Sequence, residues 1–391
     1  MNDRIDRSIT VLQVAPSIRT SLGGPSIVAV ALQDALIRED SSCRLVSAAY
    51  ELGVGRRLLP VREINHPAAN RYEFKASRPY RAMASLGLFG EIWRSVRLAN
   101  LVHLHGQYLS PHVVGFLAAK IYGTPYGISA HGTLEPYQRA ISPRRKALFN
   151  WLIGRRILRG AAYVHFATEI EAEHAADVVR VDQAWVHSLG ATLSEAPRRP
   201  VRLEAGVEGS PLVSFVGRLA AKKRPDLLIE AWARARRPSS ARLVIAGPEE
   251  AFTEEQLCQL AERLGVGDSV VAIGEVNLHE KTWLFGHSDI FVLPSENENF
   301  GITVGEAMSA GCHVIVTRHV AARHHLERAR SGRVIPEAEL GALAVALNEA
   351  FERPEFIADS GKRAQSYAER HLNWDGMARA LLTLAHSGVK S

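Results

Sequence analysis

A chain of 391 residues, 47% of them hydrophobic, is long enough for two domains with full cores. Its cysteines, Cys43, Cys258 and Cys312, are far apart and form no CxxC pair, so neither a disulfide framework nor a zinc site is suggested and a reducing compartment is expected. The net charge of +6 is uneven: residues 1–200 hold 25 Lys/Arg against 16 Asp/Glu (+9) and the remainder 22 against 25 (−3). A basic first half suggests an anionic partner, with an ordinary arginine-rich surface as the alternative.

The start, Met1 to Arg7, is polar and the next apolar run is only strand-length, so no signal peptide is predicted. No apolar run approaches the roughly 20 residues that span a bilayer. The expectation is a cytoplasmic protein, soluble or peripheral at the inner membrane face.

Ile9 to Ala15 reads as a strand, followed by a loop with Gly23-Gly24 and a helix through Leu36. Further strands are predicted at Leu101 to Leu104, Gly127 to Ala130 and Ala162 to Ala167, with a helix at Pro111 to Ile121. This alternation argues for a parallel sheet covered on both faces. Leu52 to Ala76 gives no clear pattern. Ser142 to Arg159 reads as one helix with six basic and no acidic residues and with apolar bulk at Leu148, Phe149, Trp151, Leu152 and Ile153, suited either to an anionic membrane or to a packed apolar face beneath a solvated one. Arg78 to Arg97 is a weaker candidate of the same kind.

Thr192 to Ser210 breaks the pattern and is the candidate linker. Beyond it, strands are predicted at Leu212 to Val216, Leu243 to Ala246, Val270 to Ile273, Ile290 to Leu293 and Val314 to Val316. Closing helices are predicted at Glu339 to Phe351, Pro354 to Arg370 and Trp374 to Leu384. The domain boundaries are drawn at 1–195, 196–372 and a final helix, 373–391, expected to pack on the first domain.

Chemistry is expected at strand ends. Pro294-Ser295-Glu296-Asn297-Glu298-Asn299-Phe300-Gly301 follows a strand, and Ile302 to Ala310 reads as a helix. Glu298 and Glu306 therefore stand eight positions apart astride a helix start, where ligands of open α/β sheets bind. Arg218 and Lys223, after the strand that opens the second half, suit a phosphate. Gly23-Gly24 allows close backbone approach but is weak alone, and no GxGxxG accompanies it. His131 ends a first-half strand; His103 and His105 point the same way on another, but no carboxylate or Cys completes a metal set with them. Thr168 and Glu171 fit a capping box.

In this order the pieces resemble the retaining glycosyltransferases of family 4, over nearly the whole chain. The most specific are Gly217-Arg218-Leu219 with Lys223, Leu243 to Pro248, and Pro294 to Gly301 with Glu306-Ala307-Met308, which looks like the family's E-x7-E element. Ser129 to Leu134 and Ala167-Thr168-Glu169 are similar to first-domain signatures of polysaccharide-building members. The resemblance implies a GT-B fold, two Rossmann-like, doubly wound α/β domains facing a cleft. It implies a UDP- or GDP-linked sugar as donor, a saccharide or lipid-linked oligosaccharide as acceptor, and neither cofactor, metal nor nucleic acid.

By the same resemblance, Arg218 and Lys223 hold the diphosphate, Glu306 the ribose hydroxyls and Glu298 the donor sugar. Gly23, Gly24, Asn299, Phe300, Gly301 and Ile302 add backbone contacts, Glu275 and Val276 frame the base, and His131 lies near the reacting centre. Glu298, His131, Arg218 and Lys223 are thus the candidate catalytic residues, with no firm general base and a nucleophilic Glu298 disfavoured. Val186 to Ala191, lacking a Pro-Asn-Gly turn, and the His- and Arg-rich Arg318 to Arg333 depart from the pattern. A nucleotide-sugar epimerase of the same fold, or a non-catalytic binding subunit, are the alternatives.

Overall fold

The computed structural model describes residues 9–19, 22–39, 41–52, 58–61, 70–78, 80–191 and 210–387. The chain divides into two compact units, Met1–Gly190 with Trp374–Ser391, and Ala191–Asn373. The predicted linker lies, apart from Ser210, outside the described residues.

The first unit is built on β1 (Thr10–Val14), β2 (Ser42–Leu52), β3 (Leu58–Pro60), β4 (Arg71–Lys75), β5 (Leu101–His105), β6 (Tyr126–Ser129), β7 (Tyr163–Phe166) and β8 (Ala184–Val186). They run in the order β3-β2-β1-β5-β6-β7-β8, with β4 also on β2 and only β3 antiparallel. Every residue of β5, β6 and β7 is buried, as expected of parallel strands covered on both faces. The chain moves outward from β1 to one side and then restarts on its other side at β5, so the sheet has a topological switch point between these two strands. The final helix, Trp374–His386, packs on the helix Gly24–Arg38 and buries Met377, Ala378 and Leu381. Two exposed ion pairs, Arg38–Asp375 at 2.7 Å and Arg379–Glu39 at 2.6 Å, flank that contact. Such pairs add little, so the apolar face carries the docking.

The second unit holds β9 (Leu212–Val216), β10 (Arg242–Ala246), β11 (Val270–Gly274), β12 (Ile290–Leu293), β13 (His313–Thr317) and β14 (Arg333–Ile335). All are parallel, in the order β11-β10-β9-β12-β13-β14, with the switch point between β9 and β12. Phe215, Trp232, Leu243, Phe285 and Phe291 anchor its core.

The predicted apolar strands are present to within a residue or two, and β2, β3, β4, β8 and β14 are additional. β4, Arg-Tyr-Glu-Phe-Lys, disguises itself with charge: Glu73 is buried but paired with Arg19, and Arg71 with Asp34. β3 and β4 both fall in the unreadable Leu52 to Ala76 stretch, of which 53–57 and 62–69 lie outside the described residues. The basic helix is not uniform. Two α segments, Pro143–Phe149 and Arg155–Arg159, flank a π turn at Asn150–Gly154. Among the described residues no helix is long and apolar enough to cross a membrane.

Candidate functional site

The switch point of the second sheet gathers the charged residues. After β9, Gly217 donates its N–H to Ala246 O at 2.9 Å, and the neighbouring strand end crosses so closely that a Cβ at Gly247 would lie 1.9 Å from Gly217 O. With φ near +145°, Gly247 is a position only glycine fills without strain. The chain then turns through Ala221–Lys223 and brings the Lys223 Nζ back to the strand end, 3.2 Å from where a Gly217 Cβ would sit.

The loop after β12 is fastened to this one. Glu296 N–H donates to Lys222 O at 2.8 Å, and Arg224 pairs with Glu296 at 2.8 Å. On its other side the loop zips onto the segment after β13: Glu298 N–H donates to His319 O (3.0 Å), Ala321 N–H to Glu298 O (3.1 Å) and Ala322 N–H to Phe300 O (3.1 Å). Thr317 Oγ1 donates to Ser295 O at 2.5 Å. The His- and Arg-rich segment that departs from the family pattern thus supplies the backbone rail on which Glu298 rides.

These constraints place the Glu298 carboxylate 3.0 Å from the Lys223 ammonium, with both side chains nearly buried. Burial alone would raise the Glu298 pKa; the charges of Lys223, Lys222 and Arg218 outweigh it and hold the carboxyl below its ordinary value. Lys222 is itself pushed down by burial, against the pull of Glu298. Arg218 pairs with Glu250 and adds to the same field.

Gly301, with φ near +82°, starts the helix Ile302–Ser309, which has no side-chain cap. Its second turn buries Glu306. Lys281, from the helix Leu278–His287, pairs with Glu306 Oε1, while Oε2 is buried without a hydrogen-bond partner. Burial raises the Glu306 pKa and Lys281 partly opposes it. A half-satisfied carboxylate of this kind is a ready acceptor for ligand hydroxyls. Lys281 is absent from the residues expected from sequence: a lysine on a helix beside Trp283, Leu284 and Phe285 carries no motif, and only its meeting with Glu306 marks it.

Glu275 is exposed and Val276 half-buried at the end of β11, on the same sheet edge. Phe300 is buried edge-on against His325 and serves as an anchor, with Asn299 and Ile302 half-buried beside it.

The first unit assembles the remaining expected residues at its own strand ends. Gly23, with φ near +96°, and Gly24 open the helix after β1. His131 sits in a turn after β6 with φ near +48°, which favours glycine, so its placement is strained. Its ring stacks on His105 at 5.4 Å, and Nε2 lies 3.1 Å from His105 Nδ1. Burial, with His165 and His112 nearby, lowers its pKa to about 3, so it is neutral. His105 continues to Gln13 (2.8 Å) and Gln13 to Gln33 (2.8 Å). His103 instead bonds Tyr163 at 2.6 Å and Ser129 at 2.9 Å, and Ser129 bonds His165 at 2.8 Å. Thr168 accepts from Glu171 N–H as a cap should. The Glu171 carboxylate also accepts from the Gly132 and Ala167 N–H groups, both at 2.8 Å, and so fixes the His131 turn. Among the described residues no three His, Cys, Asp or Glu side chains form a metal-ligand group.

Residues 23–192 match the family model of the glycosyl transferase 4-like domain, and residues 202–369 that of glycosyl transferases group 1. The D-inositol 3-phosphate glycosyltransferase of Gordonia bronchialis is 27% identical over 314 residues, 74% of this chain but just under two thirds, 66%, of that protein. A protein of the same name from Streptomyces scabiei is 28% identical over 387 residues, covering 92% of this chain and 85% of its own. Among solved structures, Anabaena HepE in complex with UDP-glucose superposes with a TM-score of 0.73 at 19% identity, over 97% of this chain and all of that one. Each half of the chain thus matches a glycosyltransferase domain model, and the two α/β units have the GT-B fold.

Proposed function

We propose that this protein is a retaining glycosyltransferase that moves a hexose-type sugar from a UDP- or GDP-linked donor to a saccharide or lipid-linked oligosaccharide acceptor. One observation carries the reading: at a single switch point, a Lys223–Glu298 pair and the Arg218 and Lys222 charges stand on adjoining loops, and the helix that follows carries a Glu306 carboxylate with one unpartnered oxygen. A nucleotide diphosphate sugar presents the complementary groups.

In the proposed reaction the bond from the anomeric carbon to the diphosphate oxygen breaks, and its electron pair leaves with the diphosphate. The acceptor oxygen bonds the anomeric carbon on the same face, and its proton passes to a diphosphate oxygen. Negative charge therefore grows on the leaving group, which on this reading lies against Arg218, Lys222 and Lys223; charges fixed before the reaction stabilise the transition state without reorganisation. Three convergent cations can serve this step without a metal. Glu298, held ionised, accepts from donor-sugar hydroxyls, and Glu306 from the ribose, with Lys281 orienting its carboxylate.

Calorimetry with UDP, GDP and their sugars tests the pocket. The unaltered chain is expected to bind one nucleotide series, and an Arg218→Ala, Glu306→Ala double variant to lose at least about tenfold in affinity, roughly one charge-assisted hydrogen bond. Unchanged affinity in the double variant overturns the assignment. Consumption of the sugar donor without any acceptor would favour an epimerase.

A further inference from the structure

Residues 136–168 contain no Asp or Glu and seven Lys/Arg, and the structure shows where these groups point. The inner side of the α–π–α helix packs Phe149, Ile153, Ile157 and Leu158 against the first unit's core. Its outer side carries a second apolar set: Leu148 is 57% exposed, Trp151 71% and Leu152 52%. Positions i, i+3 and i+4 share one face of a helix, so these three form one patch; Tyr137, on the short helix Pro136–Ala140 before it, and Ile141 at that helix's end are exposed as well. The sequence left open whether the apolar bulk was packed; part of it is not.

Exposed arginines stand at both ends of the patch, Arg144 and Arg145 before it and Arg155, Arg156 and Arg159 after it. Among the described residues no carboxylate pairs with these five. By contrast, Arg139 is engaged by Asp177 and Lys146 by the Gln138 carbonyl and the Tyr108 ring. A tryptophan-centred apolar patch framed by arginines without a carboxylate partner, of which Arg156 donates only to the Leu152 carbonyl, is complementary to a surface that is apolar within and anionic at its rim. A second copy of the same face would set arginines against arginines, which disfavours self-association.

We propose that the helical segment 136–159 docks this protein on an anionic lipid surface, with Trp151 and its apolar neighbours entering the headgroup region and the flanking arginines pairing with lipid phosphates. The proposal stands apart from the donor chemistry, since its residues all belong to the first unit and none of them is among the groups assigned to the donor.

Co-sedimentation of the full chain with vesicles of phosphatidylcholine alone, and of phosphatidylcholine mixed with phosphatidylglycerol, tests it. Binding is expected only to the mixed vesicles, falling with added salt. An Arg144→Ala, Arg145→Ala, Arg155→Ala, Arg156→Ala variant and a Leu148→Ser, Trp151→Ser variant should each bind at least about tenfold more weakly. Thermal unfolding should confirm that both remain folded; because the substituted groups are exposed, little change is expected. Should a variant misfold, quenching of tryptophan fluorescence in the unaltered chain by bromine-labelled lipid gives an independent readout. Absence of binding, equal binding by folded variants, or a vesicle-free dimer abolished by Trp151→Ser would overturn the proposal.

Discussion

The two sheets share a parallel topology with a switch point, yet what gathers at their strand ends differs in kind. In the second unit the polar groups are ions, in the pairs Lys223–Glu298, Lys281–Glu306 and Arg218–Glu250. In the first they are neutral: His105, His131, Gln13 and Gln33 in one chain of hydrogen bonds, and His103, Ser129, His165 and Tyr163 in another. Buried imidazoles lacking a counter-ion are kept uncharged by desolvation, and Glu171, the buried acid bonded to the backbone next to His131, is occupied by N–H groups. One topology therefore serves two chemistries. Fixed ions suit a phosphate whose charge grows during reaction, whereas neutral donors and acceptors suit hydroxyl groups.

The sharpest test of this contrast is acid. His103, His105, His112 and His165 are buried in the first unit with pKa values depressed by desolvation, His112 and His165 to about 4. Their folded values lie below the unfolded value near 6.5, so the unfolded chain binds more protons. The stability is complete above about pH 6.5 and is lost as pH falls toward the folded values. At pH 5 His112 and His165 each cost about 2 kcal/mol, and His103 and His105 act in the same direction. His131, lowered to about 3, is a fifth such group in the first unit; the second unit has two, His313 lowered to about 4 and His325 to about 2, and should lose less than half as much. Hydrogen exchange between pH 7 and 5, corrected for intrinsic rates, should show protection falling more across β5 and β6 than across β12 and β13. Equal losses would break the comparison.

The next effect concerns turnover. Lys223→Met removes a cation from the proposed leaving group and strands a buried Glu298, so transfer should slow by about 10²–10³ and the fold should lose roughly 3–5 kcal/mol. Adding Glu298→Gln removes the stranded charge and should restore much of the stability but none of the turnover. If both return together, the pair is structural and the catalytic reading fails.

How far the sequence could carry this comparison depends on what each residue type announces. Apolar strands such as Ile290–Leu293 and Leu212–Val216 were legible because parallel strands must be buried on both faces. β4 was not, because its charges are satisfied by partners 37 and 54 positions away, Asp34 and Arg19. Arg218, Lys223, Glu298 and Glu306 were visible as strand-end and helix-start residues carried by a family resemblance. The rail beneath Glu298 was not, because it consists of backbone bonds from Glu298 and Phe300 to His319, Ala321 and Ala322, which do not depend on side-chain identity. The division of the polar network by His103 and His105 also needed coordinates. Alternation puts both on one side of β5, but only the positions of Tyr163 and Gln13 decide which partners each takes.

The smallest expected effect is the most diagnostic, because it concerns the residue no motif marked. Lys281→Met leaves Glu306 buried without its counter-charge, so the carboxyl, already raised by burial, rises further. At alkaline pH the variant should still bind nucleotide, weakened by about tenfold or less, because an ionised Glu306 remains able to accept from the ribose. As pH falls, the variant should lose affinity at a higher pH than the unaltered chain, since protonation removes acceptor capacity from the Glu306 carboxyl. Glu306→Gln, which cannot titrate, should show weakened binding without that pH dependence. Calorimetry across pH 6 to 8.5 separates the outcomes: a pH-dependent loss confined to Lys281→Met makes Lys281 a positioning residue acting through Glu306. A loss of the same size at every pH would instead place its ammonium on the nucleotide itself.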